Sequence, residues 1–176
     1  MTRPPAYEIC FRQECPRIAV SEPTIRKIAR NILRDLGFKK AVLSILLVDG
    51  AAMRALNNRY LRHARVTDVL AFSQPKPEVH SKDAVASKAL RRTDVDFLGD
   101  IALCLPTIRS QAKEYGHSFE EELHYCLCHG ILHLIGYEDK TRNAFHKMHR
   151  KQKLILKRVA GPLGASAKKK SASGGR

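Results

Sequence analysis

Apolar positions along the chain alternate between the short, dense runs of strands and the three-and-four spacing of helices. Tyr7 to Phe11 mixes apolar and polar residues before Pro16 and predicts a first strand. From Pro23 to Leu36 the residues Ile25, Ile28, Ala29, Ile32, Leu33 and Leu36 share one helical face. Ser21 or Glu22 precedes the proline and Gly37 follows the end, so a helix is predicted there. Ala41 to Val48 is a continuous apolar run rich in β-branched residues, closed by Asp49-Gly50, and reads as a buried strand. Ala51 to Tyr60 has helix-forming composition.

Val66 to Phe72 and Gly99 to Leu105 are two further strand candidates. The polar stretch between them, with Pro75, Pro77, Ser81 and several charges, reads as a mobile loop. Pro106 to Tyr115 predicts a short helix that stops at Gly116. Ser118-Phe119-Glu120-Glu121 is a capping-box pattern opening a helix that should run to about Ile135, where Gly136 supplies a permissive backbone. A last helix, Thr141 to Val159, places Phe145, Met148, Ile155 and Val159 on one side and many Lys and Arg elsewhere. Residues 1–160 are therefore expected to form one domain. Residues 161–176, rich in Gly, Ser, Ala and Lys with a Lys168-Lys169-Lys170 run, are expected to be a disordered basic tail.

Charge changes this picture. Lys and Arg number 32 against 17 Asp and Glu, a formal +15 that favours a polyanionic partner. Trp is absent, and no apolar run reaches the roughly 18 residues of a membrane span, so nucleic acid is expected rather than a membrane. The N-terminal residues lack the apolar segment of a secretory signal, so a cytosolic protein is expected. The odd number of cysteines (Cys10, Cys15, Cys104, Cys126, Cys128) argues against a disulfide framework and for small core residues.

His129 and His133 stand four apart in a predicted helix, so their rings leave the same face one turn apart. Gly136 then ends the helix, and the turn can return Asp139 toward the same point. The run His-Gly-Ile-Leu-His-Leu-Ile-Gly-Tyr-Glu-Asp has the two-histidine, glycine-turn, third-ligand spacing of the metzincin pattern. Three protein ligands leave one position for water, as in catalytic rather than structural zinc. The plainer reading is two histidines packed in a core, with Asp139 capping the next helix.

Gly130 stands where a zinc peptidase carries its glutamate base, so peptide cleavage loses that base. A glycine there offers room for a substrate or a neighbouring backbone to approach the metal. Cys126 and Cys128 flank the histidines, but helical geometry turns Cys128 about 100° away from His129. His146 and His149, in a basic helix, are expected to be exposed or to face RNA.

Three segments resemble the YbeY family of metal-dependent endoribonucleases of ribosomal RNA maturation. The family's His-Gly-x-Leu-His-Leu-x-Gly-Tyr-Asp-His is echoed by His129 to Asp139, its Thr-Asp-Val-Leu-Ser-Phe by Thr67 to Phe72, and its Leu-Gly-Asp-Ile by Leu98 to Ile101. The resemblance covers roughly Tyr7 to Arg158. It implies an α+β fold in which a small four-stranded, mostly parallel mixed sheet packs against about five helices, with a zincin-like metal helix. One zinc ion per chain is implied, held by His129, His133 and Asp139 at the edge of a basic cleft, with a ribosomal RNA precursor and the ribosome as partners.

Two departures stand out. The family's third ligand is normally His, whereas this chain has Asp139, preceded by Glu138 as a second carboxylate. The family's substrate arginine follows the Tyr of Leu56-Asn57-Asn58-Arg59-Tyr60, where this chain has Leu61. Arg62 is its replacement in this reading and Arg65 the alternative, each able to grip a phosphate. Thr67 and Asp68 are read as shaping the strand start, and Asp68 can also orient a ligand from behind. Two rival functions remain open at this point: a zinc peptidase, and a non-catalytic RNA-binding ribosome-assembly factor with structural zinc.

Overall fold

A computed structural model describes residues 6–62, 65–74 and 95–160. Along the chain these form β1 (Ala6–Gln13), α1 (Glu22–Asp35), β2 (Lys40–Val48), α2 (Gly50–Leu61), β3 (Val69–Ser73), β4 (Asp96–Cys104), α3 (Leu105–Tyr115), α4 (Phe119–Leu134) and α5 (Arg142–Val159). The sheet order is β1-β2-β4-β3. The pairs β1/β2 and β2/β4 are parallel and β3/β4 is antiparallel, so the fold is the expected α+β with a mostly parallel mixed sheet. The proline-containing stretch and the basic tail of the sequence reading lie outside the described residues.

Local chemistry sets the element ends. Ser21 caps α1, its Oγ accepting from Thr24 N, with Pro23 inside the first turn. At the start of α4, Ser118 Oγ accepts from Glu121 N at 3.2 Å while Ser118 N donates to Glu121 Oε2 at 2.8 Å, the reciprocal capping box. Three glutamates in that first turn face the positive end of the helix dipole. Buried Glu122 also accepts from His117 Nδ1 at 2.7 Å.

One face of the sheet carries the main core. Ile9, Leu43, Ile45, Leu47, Ile101 and Leu103 meet Ile25, Ile32 and Leu33 of α1, Leu127 and Ile131 of α4, and Met148 and Ile155 of α5. The other face is only half covered: Leu70, Ala102, Cys104 and Val48 pack under Met53 of α2. Hence β2, read as wholly buried, alternates between deeply and partly buried positions. Four of the five cysteines are buried as expected, and Cys10, on the less covered face of β1, is exposed.

The last helix differs from its sequence reading. Its buried positions are Met148, Gln152, Ile155 and Leu156, and Phe145 is 46% exposed. The burial begins only at Met148, so the first turn of α5 projects beyond the core.

Gly99 is the tightest backbone point. Its φ of +128° is a region that side chains rarely enter, and a Cβ there would sit 2.0 Å from the Phe72 carbonyl oxygen of the paired strand. Gly99→Ala is therefore expected to cost more than about 2 kcal/mol, read by urea unfolding, because strain and overlap add. Unchanged stability would mean that the β3/β4 pairing tolerates a side chain there.

His124 on α4 is buried, and its Nε2 has no hydrogen-bond partner among the described residues. Burial holds its pKa below the usual 6.5, with Glu120 and Glu121 pulling the other way. The native state thus takes up this proton less readily than the unfolded chain. Stability is expected to fall as pH drops through 6.5 and to level off below the native pKa. Unfolding curves at pH 7 and pH 5 should show a smaller loss for His124→Leu than for the unaltered chain; equal losses would exonerate His124.

Candidate metal centre

The end of α4 builds the site. Ile135 closes the helix and Gly136, at φ +92°, turns the chain; Gly136 N donates to His133 O and Tyr137 N to Leu132 O, each at 3.0 Å. This paired pattern at a helix C-terminus reverses the backbone at once. The reversal brings the Tyr137 carbonyl to His133 Nδ1 at 2.9 Å and carries Asp139 back over the last turn.

His129, His133 and Asp139 come together, as the spacing predicted. The two Nε2 atoms are 3.0 Å apart, and Asp139 Oδ2 lies 3.8 Å from His129 Nε2 and 3.7 Å from His133 Nε2. The circle through these three atoms has a radius of about 2 Å, close to zinc–nitrogen and zinc–oxygen bond lengths. Glu138 is exposed and outside the cluster.

The proton positions follow from the partners. A carbonyl can only accept, so His133 Nδ1 carries a hydrogen, and in the neutral ring that leaves the Nε2 lone pair for a cation. Gln152 Nε2 donates to the Tyr125 carbonyl at 2.8 Å, which fixes the amide and presents Oε1 to His129 Nδ1 at 3.5 Å. His129 therefore also presents a bare Nε2. Burial first, and then the neighbouring His133, hold the His129 imidazole below its usual 6.5, so it is neutral at pH 7. Two lone pairs and a carboxylate oxygen aimed at one point repel one another, and a cation at that point satisfies all three. The donor set of two imidazoles and one carboxylate suits zinc. The side chains are 23%, 29% and 39% exposed, so the cluster opens to solvent on one side.

Gln152 was missed in the sequence, although it is a polar residue at a core position of α5, fully buried between Met148 and Ile155. Asp68 shapes the start of β3, as read, and among the described residues it is not hydrogen-bonded to either histidine. Its Oδ1 accepts from Val69 N at 2.9 Å and its Oδ2 receives the Cys126 thiol at 3.8 Å. Burial, then Asp68 and Glu122, push the Cys126 thiol far above its usual range, and burial pushes Cys128 up to about 12. Both thiols stay protonated, which suits core packing and not metal binding.

At Gly130 the room is taken by the neighbouring strands and not by a substrate. A Cβ there would lie 3.1 Å from Ile101 Cδ1 and Cγ2 and from Val69 Cγ2, so this glycine seats α4 on the sheet and opens no path to the cluster. Arg62 is exposed at the C-terminus of α2 with φ 56°, the one non-glycine positive φ among the described residues. The Arg65 carbonyl accepts from the buried Asn57 amide, which also reaches Thr67 Oγ1 at 3.3 Å. Among the described residues no hydrogen bond or ion pair joins either arginine to the cluster.

A family profile described as Endoribonuclease YbeY matches residues 9–160. The chain belongs to the YbeY family. Endoribonuclease YbeY of Desulforamulus reducens is 38% identical over 136 residues, 77% of this chain and 84% of the relative. Endoribonuclease YbeY of Frankia alni is 35% identical over 156 residues, 88% of this chain and 84% of the relative. The solution structure of TM1509 from Thermotoga maritima matches with a TM-score of 0.53 at 22% identity, covering 97% of this chain and 99% of that one, which bears on the fold alone.

The three YbeY-like segments meet in space. Thr67 to Phe72 enters β3, Leu98 to Ile101 lies in β4, and Ala71 pairs with Ile101. Gly130, beside His129, packs on Ile101 and on Val69 of those same strands. The helix that carries both histidines is thus set on the two strands that carry the other YbeY-like segments.

Proposed function

We propose that this chain is a zinc-dependent endoribonuclease that cuts single-stranded RNA, and that it acts in the cytosol on ribosomal RNA precursors at the 3′ end of the small-subunit RNA. The observation that carries the reading is the convergence of His129, His133 and Asp139 in a chain of the YbeY family. The nuclease activity rests on the family, and the zinc and the RNA target are the finer part of the proposal.

In this reading His129 and His133 hold one zinc ion through Nε2 and Asp139 through Oδ2. Gln152 and the Tyr137 carbonyl keep both rings turned toward it. The bound ion would supply Lewis acidity toward a phosphoryl oxygen and would acidify water. Asp139, where the family has a neutral ring, adds a negative charge that tempers this acidity. Arg62 is assigned the phosphate contact that the family's arginine makes: its left-handed backbone holds an exposed guanidinium at a helix end, at a cost that ordinary surface positions avoid. Lys and Arg of α5 bind the rest of the RNA backbone.

The test incubates the purified chain with a single-stranded RNA, the matching duplex and casein, with and without a chelator and added zinc. Cleavage of the single strand alone, lost on chelation and restored by zinc, is expected. Casein turnover would favour the peptidase, and RNA binding without cleavage would favour an assembly factor with structural zinc.

Affinity should also fall steeply with salt. Each phosphate contact on a single strand contributes a slope of roughly −0.7, so about four contacts imply roughly fiftyfold weaker binding for a fourfold rise in salt. A flat response in a filter-binding titration would remove the basic RNA surface.

A further inference from the structure

The first two turns of α5 present an aromatic feature that the metal centre does not use. Phe145 is 46% exposed, and its ring lies parallel to the His149 imidazole, at 12° with centroids 5.6 Å apart. His146 meets the edge of the same ring, with centroids 5.7 Å apart at 69°. The stack is fixed from below, because His149 Nδ1 and the Tyr125 hydroxyl are hydrogen-bonded at 3.1 Å. Tyr125 in turn offers its carbonyl to Gln152, whose other end faces His129. Phe145 and His149 are therefore tied by direct contacts to the ring that heads the metal cluster. Along α5, seven residues or about 10 Å separate Phe145 from Gln152.

An isolated exposed phenylalanine needs no explanation. This one is stacked on a ring that is itself held in place, on a helix with seven Lys and Arg and no Asp or Glu. Nearby, Lys147 Nζ lies 5.9 Å from the Tyr137 ring centroid. A flat apolar face inside a field of positive charge complements one kind of ligand, an unpaired base on an anionic backbone. A duplex hides its base faces, and a lipid surface would call for a continuous apolar stripe that α5 keeps for the core.

We propose that Phe145, positioned by His149, is a stacking platform for a base of single-stranded RNA, lying a short step from the metal cluster. The inference rests on the RNA reading above and adds a binding subsite to it. Phe145 touches the substrate, and His149 acts through Phe145.

The chain contains no Trp, so Phe145→Trp installs a single tryptophan at the platform, excited selectively against the tyrosines. Its emission should be quenched by a purine-rich single-stranded oligonucleotide and barely altered by an abasic sugar-phosphate strand of equal length. Phe145→Leu should weaken binding of the single-stranded RNA by roughly five- to a hundredfold, measured by fluorescence anisotropy, and shift binding of the abasic strand less than about twofold. Thermal unfolding checks that both variants are folded. If Phe145→Leu binds the RNA as tightly as the unaltered chain, or the tryptophan emission does not respond to bases, the platform is wrong and the nuclease reading stands. If the unaltered chain binds no RNA, both fall.

Discussion

His133→Ala is expected to lower RNA cleavage by about a thousandfold or more, since the polarisation a metal supplies is worth several kcal/mol and each 1.36 kcal/mol is a factor of ten. Its ring is partly exposed, and among the described residues its contact outside the cluster is the hydrogen bond to the Tyr137 carbonyl, so the fold should survive its loss. Zinc content should fall well below one per chain in the same preparation. Asp139→Asn makes the complementary case: it keeps an oxygen near the cluster and removes the charge, so zinc should bind more weakly and activity should fall by less than with His133→Ala. Full cleavage by a folded His133→Ala chain would separate the reaction from the cluster and leave a nuclease whose active site lies elsewhere.

The second large effect concerns Gly130. Gly130→Glu would write the His-Glu-x-x-His of zinc peptidases into this helix. The substitution is expected to destabilise the chain by about 3 kcal/mol or more and to create no peptidase. Its Cβ would already be 3.1 Å from Ile101 and Val69, and the carboxylate beyond would enter the aliphatic contact between α4 and the sheet without a partner. For a chain of this size that loss lowers Tm by roughly 6–12 °C, readable by circular dichroism. A stable Gly130→Glu chain that turned over casein would show that position 130 can face the metal, contrary to the packing.

The elements that could be read from the sequence are those whose signals are local. Helix α1 carries an unbroken apolar face between Ser21 and Gly37, and α4 opens on its capping box, so both match their readings within a residue or two. Strand β4 begins at Asp96, three residues before its expected start. Asp96 and Phe97 are exposed, and the register shift at Val42/Leu43 interrupts the alternation that a pattern reader follows. Strand β3 starts at Val69 instead of Val66, because Asp68 turns its carboxylate onto the strand's first amide.

The site divides in the same way. His129, His133 and Asp139 fall within eleven residues, and a helix plus a glycine turn is enough to join them. The groups that aim the rings are not all local: Gln152 is 23 residues from His129 and arrives only through the packing of α5 on α4. Phe145 was assigned to the apolar side because its spacing from Met148 is helical. That spacing does not reveal that the core ends one turn short of it. Gly130 reads as room for a substrate or a neighbouring backbone, and only the folded sheet shows that strands β3 and β4 fill it.

X-ray absorption at the zinc edge of the zinc-loaded chain tests the metal centre most directly. One zinc per chain is predicted, with nitrogen and oxygen neighbours at about 2.0–2.2 Å, the outer-shell pattern of two imidazoles, and no sulfur at about 2.3 Å. A sulfur shell would hand the ion to Cys126 or Cys128, and a chain that retained no zinc would leave His129, His133 and Asp139 without the role assigned to them.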